Sequence, residues 1–376
     1  MIELIISDVT DSATYRAIAC ELQKSGHTVH FTLIAGKANP FTNWLLASGY
    51  DVSHRVLKNR LSLVIHWFGI RRYLFTSPPQ VIICLGQIAT LVGLSAALGL
   101  QSSWRIYVRQ HSTTHHETGS YRGQFYDRLS NRFADHIVAT NQNVLQSLCD
   151  AEGVSRDQVT VVHLGIDLSN FGNPDEPRVI EVAKRWGIDR SKTTIGMIAR
   201  LTEIKGWPYL IDHLVAELQE SPHLQLVIAN AVGDLREDVQ SALVAVRNQV
   251  IFIEYEHDVA ALYATFDVFV HIPVSPTVEA FGLVYLEAFA AGIPAVITMS
   301  GIAHEIATNE VNCLVVPHKD GVATVSAINR LLLSASERQY LSAAARKAVS
   351  QFDITDMAVA YSNLFISWSK RRSEMH

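Results

Sequence analysis

The sequence predicts an α/β protein built from two doubly wound parallel-sheet domains. Three observations predict it. Strand-like and helix-like stretches alternate along the chain, which implies parallel strands joined by crossover helices. At 376 residues the chain exceeds what one ordinary core holds. A polar stretch at 170–177, with Gly172, Pro174 and Pro177, breaks the alternation near its middle and reads as an interdomain linker. Domains are therefore expected at 1–170 and 178–353.

The elements follow in order. Residues 2–7 form an apolar first strand, 17–25 a helix, and 26–33 a turn and second strand. Further strands are expected at 81–85, 105–108, 135–140 and 159–163, with Asn141 placed to cap the helix after the third of these. The second set begins at 194–199 and continues through 224–229, 250–253, 268–271, 295–298 and 313–316. Residues 354–368 read as a closing helix.

Composition narrows the class. A hydrophobic fraction of 48% belongs to a globular chain. Cys20, Cys84, Cys149 and Cys313 lie far apart with no C-x-x-C pair, which favours a reduced, cytosolic compartment and no structural zinc. The first residues lack a basic region and a cleavage site, so no signal peptide is expected. Residues 81–100 carry no charge and meet the length of a membrane span. Their β-branched start, broken at Gly86, reads instead as a buried strand and a buried helix.

The net charge of −5 is uneven: residues 1–150 hold 13 basic and 9 acidic side chains, the rest 18 and 27. This asymmetry is too small for nucleic-acid binding but fits an anionic surface or acceptor. Residues 55–75 contain five cations, no acid, Trp67 and Phe68. They form either a helix on an anionic membrane surface or a helix half-buried on the sheet.

Two segments carry chemistry. The first is Glu279-Ala-Phe-Gly-Leu-Val-Tyr-Leu-Glu287, followed by a small-residue run to Gly292-Ile-Pro294. Gly282 permits close backbone approach. A helix is expected from Leu283, with free first N–H groups near Phe281 and Gly282 able to face an anion. Eight helical steps would span about 12 Å and return the two carboxylates to within about 80° of one another. The second is Gly196-Met-Ile-Ala-Arg-Leu-Thr-Glu-Ile-Lys-Gly-Trp-Pro208, where a strand ends and Arg200 and Lys205 precede a helix. Two cations at a helix start suit a diphosphate.

Together these segments resemble glycosyltransferase family 4, the group 1 glycosyl transferases, which are retaining enzymes of the GT-B fold. The resemblance implies two Rossmann-like domains facing a cleft, with the C-terminal helix, 354–376, crossing back to the first, acceptor-side domain. It implies that the second domain binds a nucleotide-diphosphate sugar, a UDP-sugar first and GDP-mannose second. Arg200 and Lys205 would hold the diphosphate, Glu287 the ribose, and Glu279 the sugar hydroxyls, helped by the backbone at Phe281, Gly282 and Leu283. His111 corresponds to a cleft histidine that contacts the donor sugar, with Arg109 and Glu117 beside it. Glu279, His111, Arg200 and Lys205 are the catalytic candidates. The implied acceptor is a saccharide or lipid-linked sugar in surface polysaccharide or glycolipid assembly, on a cytoplasmic protein peripheral to the inner face of the membrane.

No metal and no further cofactor are expected: there is no Asp-x-Asp motif, and His111, His115 and His116 make a weak metal signal. Departures from the family pattern are Ala199, His163 and Cys313, and Ser300 for a glycine that lines the nucleotide pocket. The loop 7–13 also lacks glycine, so either its hydroxyls contact the donor or it serves the acceptor. Two rivals remain: a GT-B sugar-nucleotide epimerase, and a non-catalytic sugar-nucleotide-binding module. An oxidoreductase is disfavoured because no Gly-x-Gly-x-x-Gly follows a strand.

Overall fold

The computed structural model describes the chain apart from Asp8, Thr10, Asp11, Ala38, residues 110–114 and 116–119, Asn173 and the last two residues. It also leaves undescribed the side chains of Arg60 and residues 371–374. Two compact units result: residues 1–165 with 354–376, and residues 166–353.

The first unit runs β1 (Ile2–Ser7), α1 (Ala13–Lys24), β2 (Val29–Ala35), α2 (Pro40–Ala47), β3 (Asp51–Val56), α3 (Arg60–Thr76), β4 (Val81–Leu85), α4 (Gln87–Ala96), β5 (Trp104–Arg109), α5 (Tyr121–Phe133), β6 (His136–Ala139), α6 (Gln142–Glu152) and β7 (Val159–Val161). Its seven strands are all parallel, in the order β3-β2-β1-β4-β5-β6-β7. The strands are apolar on both faces because helices cover both. One face holds Leu4, Phe31 and Ile83 against α1 and the closing helix; the other holds Ile5, Ile82 and Tyr107 against α3, α4 and α6.

The second unit runs α7 (Leu168–Gly172), α8 (Glu176–Trp186), β8 (Thr193–Ile198), α9 (Trp207–Glu220), β9 (Leu224–Ala229), α10 (Arg236–Ala242), β10 (Val250–Ile253), α11 (Val259–Tyr263), β11 (Val268–His271), α12 (Leu283–Ala291), β12 (Ala295–Ile297), α13 (Ala303–Ile306), β13 (Leu314–Val315), α14 (Gly321–Leu333) and α15 (Ala335–Ala348). Its six strands are parallel in the order β10-β9-β8-β11-β12-β13. The order reverses between β8 and β11, and the carboxyl ends of two such strands leave a crevice where ligands bind. The chain then returns to the first unit as α16 (Ile354–Glu374), which packs on α1.

Two expectations are corrected. The stretch 170–177 is not a free linker: α7 and α8 occupy most of it, and the units part at Gly165 and Ile166. Pro177 stands in the first turn of α8, where its missing N–H costs nothing, so a proline that reads as a breaker here starts a helix. Residues 55–75 are not one segment, since Arg55 ends up in β3 and only 60 onward is helical. The pattern over α2 and β3 passes unnoticed in the sequence because β3 is half-buried and shows no apolar run. Residues 81–100 do form strand and helix, and among the described residues no helix is long and apolar enough to cross a membrane.

Candidate functional site

The site is built at the β8–β11 switch point of the second unit. β8 ends at Ile198, and Arg200 follows as an exposed side chain. The Trp207 indole, buried at the start of α9, donates to the Arg200 carbonyl at 3.0 Å and pins this loop. A short 3-10 turn, Glu203–Lys205, then delivers Lys205 to the amino end of α9. Gly206 caps that end with φ +88°. A Cβ there would sit 2.2 Å from the Ile272 carbonyl, so only glycine lets the lysine turn close on β11.

The opposing wall is the segment after β11. Glu279 is only 8% exposed, yet ionised. Its Oε1 accepts from His271 Nε2 at 2.9 Å and pairs with Lys205 Nζ. Burial pushes this carboxyl up, but the hydrogen bond from His271 and the charge and hydrogen bond of Lys205 outweigh it and hold the group down at about 2. Ser300, fully buried, accepts the Glu279 N–H at 3.1 Å. Ser300 therefore shapes the backbone at Glu279, a role different from narrowing a nucleotide pocket. Gly301 completes the corner with φ +57°, and a Cβ there would sit 2.4 Å from the Phe281 carbonyl and 2.9 Å from the Glu279 side chain.

Gly282, at φ +86°, opens α12 with no side-chain cap, which leaves its first N–H groups available, Leu283 among them. Phe281 is buried, and its carbonyl accepts from Ile302 at 2.8 Å. Glu279 precedes the helix, so the two carboxylates do not share one helical face as the eight-residue spacing implies; only Glu287 is on α12. Glu287 is half-buried and meets the Tyr263 hydroxyl at 3.2 Å. Burial raises its carboxyl to about 7, and the single hydrogen bond from Tyr263 only partly opposes this. A cavity of about 270 Å³ opens beside it, lined by Ile198, Asn230, Tyr255, Leu262 and Val284 among others.

Of the sequence candidates, Arg200, Lys205, Glu279, Phe281, Gly282, Leu283 and Glu287 all fall in this unit, and Lys205 touches Glu279. His111 and Glu117 lie outside the described residues. Arg109 does not face a cleft: it is 1% exposed and pairs with Glu152 and, at 3.6 Å, with Asp127. His115 contacts the same Asp127 at 2.8 Å. In the loop after β1, Ser7 accepts the N–H of Ala89 at 3.1 Å, capping α4, while Asp8, Thr10 and Asp11 are not described. Among the described residues no three His, Cys, Asp or Glu side chains stand close enough to hold a metal ion. Sequence reasoning missed His271 and Tyr263; it marked Ser300 as a departure from a pocket glycine but not its bond to the Glu279 backbone. His271 and Tyr263 sit in apolar runs that read as core, and nothing in the spacing marks them.

Comparison with known proteins finds glycosyltransferases. The family described as Glycosyl transferases group 1 matches residues 180–348, and the one described as Glycosyltransferase Family 4 matches residues 13–170. An uncharacterised glycosyltransferase of Methanocaldococcus jannaschii is 29% identical over 226 residues, covering 59% of this chain and 57% of its own length. The lipopolysaccharide core biosynthesis mannosyltransferase LpsB of Rhizobium meliloti is 28% identical over 220 residues, covering 54% and 61%. The chain thus spans less than two thirds of the length of these relatives. Anabaena HepE in complex with UDP superposes with a TM-score of 0.79 at 19% identity, over 98% of this chain and 100% of that one. WaaG, a glycosyltransferase involved in lipopolysaccharide biosynthesis, gives 0.74 at 15% identity, over 97% and 99%. At these identities the solved structures establish the shared GT-B fold.

Proposed function

We propose that this chain, which belongs to the group 1 and family 4 glycosyltransferases, moves a sugar from a nucleotide-diphosphate sugar to an acceptor hydroxyl, with retention and without metal. The observation that carries the reading is the contact of Lys205 with Glu279 at the β8–β11 switch point, with Arg200 just past β8 and Glu287 on α12. The cations and helix N–H groups neutralise the diphosphate as charge develops on the leaving oxygen. Glu287 accepts from the ribose hydroxyls, and the cavity beside it takes the base. Glu279 accepts from sugar hydroxyls. The bond from the anomeric carbon to the diphosphate oxygen breaks, the acceptor oxygen bonds to the same face, and its proton passes to the departing phosphate oxygen. His111 is assigned to the donor sugar by family resemblance.

A UDP-sugar is the favoured donor, since UDP is what HepE binds, with GDP-mannose second. Neither rival gains an observation: no base is marked for epimerisation, and the charged set is complete. The test is thermal stabilisation by UDP-glucose and GDP-mannose without metal, on wild type and on Arg200→Ala and Glu287→Ala. A shift of several degrees lost in both substituted proteins supports the reading; a folded wild type that responds to no diphosphate nucleotide rejects it.

The acceptor is read as lipid-linked because of one face of the first unit. Helices α3, α4 and α5 lie side by side on the sheet. Leu61, Ile65 and Phe68 of α3 and Tyr121 and Phe125 of α5 are exposed. Lys58, Arg72, Arg122, Arg128 and Arg132 are exposed around them. Asp127 is the one described carboxylate from Lys58 to Phe133, and it is buried. The opposite face differs: α16 exposes Asp356 and α1 carries a Glu21–Lys24 pair. A surface of apolar and cationic groups, with no exposed acid from Lys58 to Phe133 among the described residues, fits the interface of an anionic bilayer. Co-sedimentation with phosphatidylglycerol vesicles should fall about tenfold in Phe68→Ser with Phe125→Ser; unchanged binding would remove the membrane from the reading.

A further inference from the structure

The chemistry above gives His271 no task, although it is buried against Glu279 in the second unit. It ends β11, is 2% exposed, and stands edge-on to the Tyr285 ring at 4.9 Å. Its Nε2 and the Lys205 ammonium converge on the same oxygen of Glu279. Its Nδ1 is buried with no hydrogen-bond partner. The lysine turn is itself fixed to the segment after β11, since Val274 N–H donates to the Ile204 carbonyl at 3.1 Å. One carboxylate oxygen therefore has two claimants, and one of them is the cation assigned to the diphosphate.

We propose that Lys205 is a latch on Glu279 that the donor diphosphate releases, and that His271 is the positioning residue that then holds the freed carboxylate in place and in its ionised form. The inference rests on the donor reading given above. A diphosphate that draws the Lys205 ammonium onto its own oxygens weakens the ion pair and frees Glu279 lone pairs for sugar hydroxyls. The carboxylate keeps one buried donor, the imidazole.

Glu279 and Lys205 are the charged groups that act on that imidazole, and the ring of Tyr285 packs against it. Burial lowers its proton affinity, Glu279 raises it, and Lys205 lowers it. The net direction is down, which favours the neutral ring; facing a carboxylate, its proton belongs on Nε2, which leaves a bare Nδ1 that needs no donor. Withdrawal of Lys205 removes one of the two lowering causes. His271 then binds protons more strongly, and donor binding is linked to proton uptake at this ring.

Calorimetry of UDP-glucose and GDP-mannose binding, in buffers of different ionisation heat, reads the protons exchanged. The diphosphate diesters of these probes do not titrate near neutrality. Glu287 contributes alike to wild type and His271→Gln, so the difference between the proteins isolates His271. Near pH 6.5, wild type should take up about 0.3 proton or more per donor in excess of the uptake by His271→Gln. Gln still donates a hydrogen bond and keeps affinity within about tenfold. Equal proton counts overturn the latch alone; no binding by wild type overturns the donor reading and the latch with it. A measurement on wild type needs no substitution: the His271 ring resonance, recognised by its contact with Tyr285, should titrate at higher pH with donor than without, and an unchanged midpoint overturns the proposal.

Discussion

The two ends of the segment 279–287 hold the same residue type in opposite electrostatic states. Glu279 has a cation and an imidazole on one oxygen and is held at about 2. Glu287 has one phenol hydroxyl and rises to about 7. Both are largely withdrawn from water, so burial alone does not decide a carboxylate's charge; the count of charged partners does. A paired carboxylate is rigid and always ionised. An unpaired one waits for a ligand, and hydroxyl donors that favour its ionised form draw part of their affinity from that relief.

The comparison breaks most severely at Lys205. Lys205→Met leaves Glu279 buried with His271 alone, and should cost about 2–4 kcal/mol in urea denaturation and at least about a hundredfold in transfer rate. Gly301→Ala strikes the same corner through the backbone: the new Cβ meets the Phe281 carbonyl at 2.4 Å with φ at +57°. It should destabilise by about 2–3 kcal/mol and lower activity by moving Glu279, with Glu287 untouched.

The other end responds with the opposite sign. Glu287 prefers its protonated form when folded, so its contribution to stability is complete below pH 4.5 and is lost as pH rises towards 7. Glu287→Gln should therefore stabilise the free protein at pH 8, by about 1–3 kcal/mol, while weakening nucleotide binding. Glu279 behaves in reverse: its contribution is complete above pH 4.5 and is lost as pH falls towards 2. Denaturation curves on both Gln substitutions across pH 3–8 would show the two slopes vanish in separate windows. A common window would mean that the carboxylates titrate as one coupled pair. The smallest effect is expected at Tyr263→Phe, where loss of one hydrogen bond to Glu287 costs about 0.5–1.5 kcal/mol at pH 8, with little change at pH 5.

Much of this was legible without coordinates. Six strands of the second unit fall within a residue or two of their predicted places, because buried parallel strands are short apolar runs between glycine and polar punctuation. Arg200, Lys205, Glu279 and Glu287 stood out because they lie near strand and helix ends and match the family pattern, and all four fall in the second unit. Less was legible in the first unit, where α2 and β3 are half-buried and the pattern fades. Proline at 177 and the polar run around it misled, since composition cannot distinguish a linker from the first turn of a helix.

By itself the sequence determined the alternation of strands and helices, the two-sheet class and the residue types offered at the switch point. Those depend on periodicity and local backbone preference, which act over a few residues. Tertiary structure alone decided what each charge meets. Arg109 turned inward to Glu152, Ser300 came to hold the Glu279 backbone, and His271 met Glu279 across a loop. Each of these is set by which strand lies beside which, and a charge in a low-dielectric interior takes its properties from the neighbours within a few ångströms.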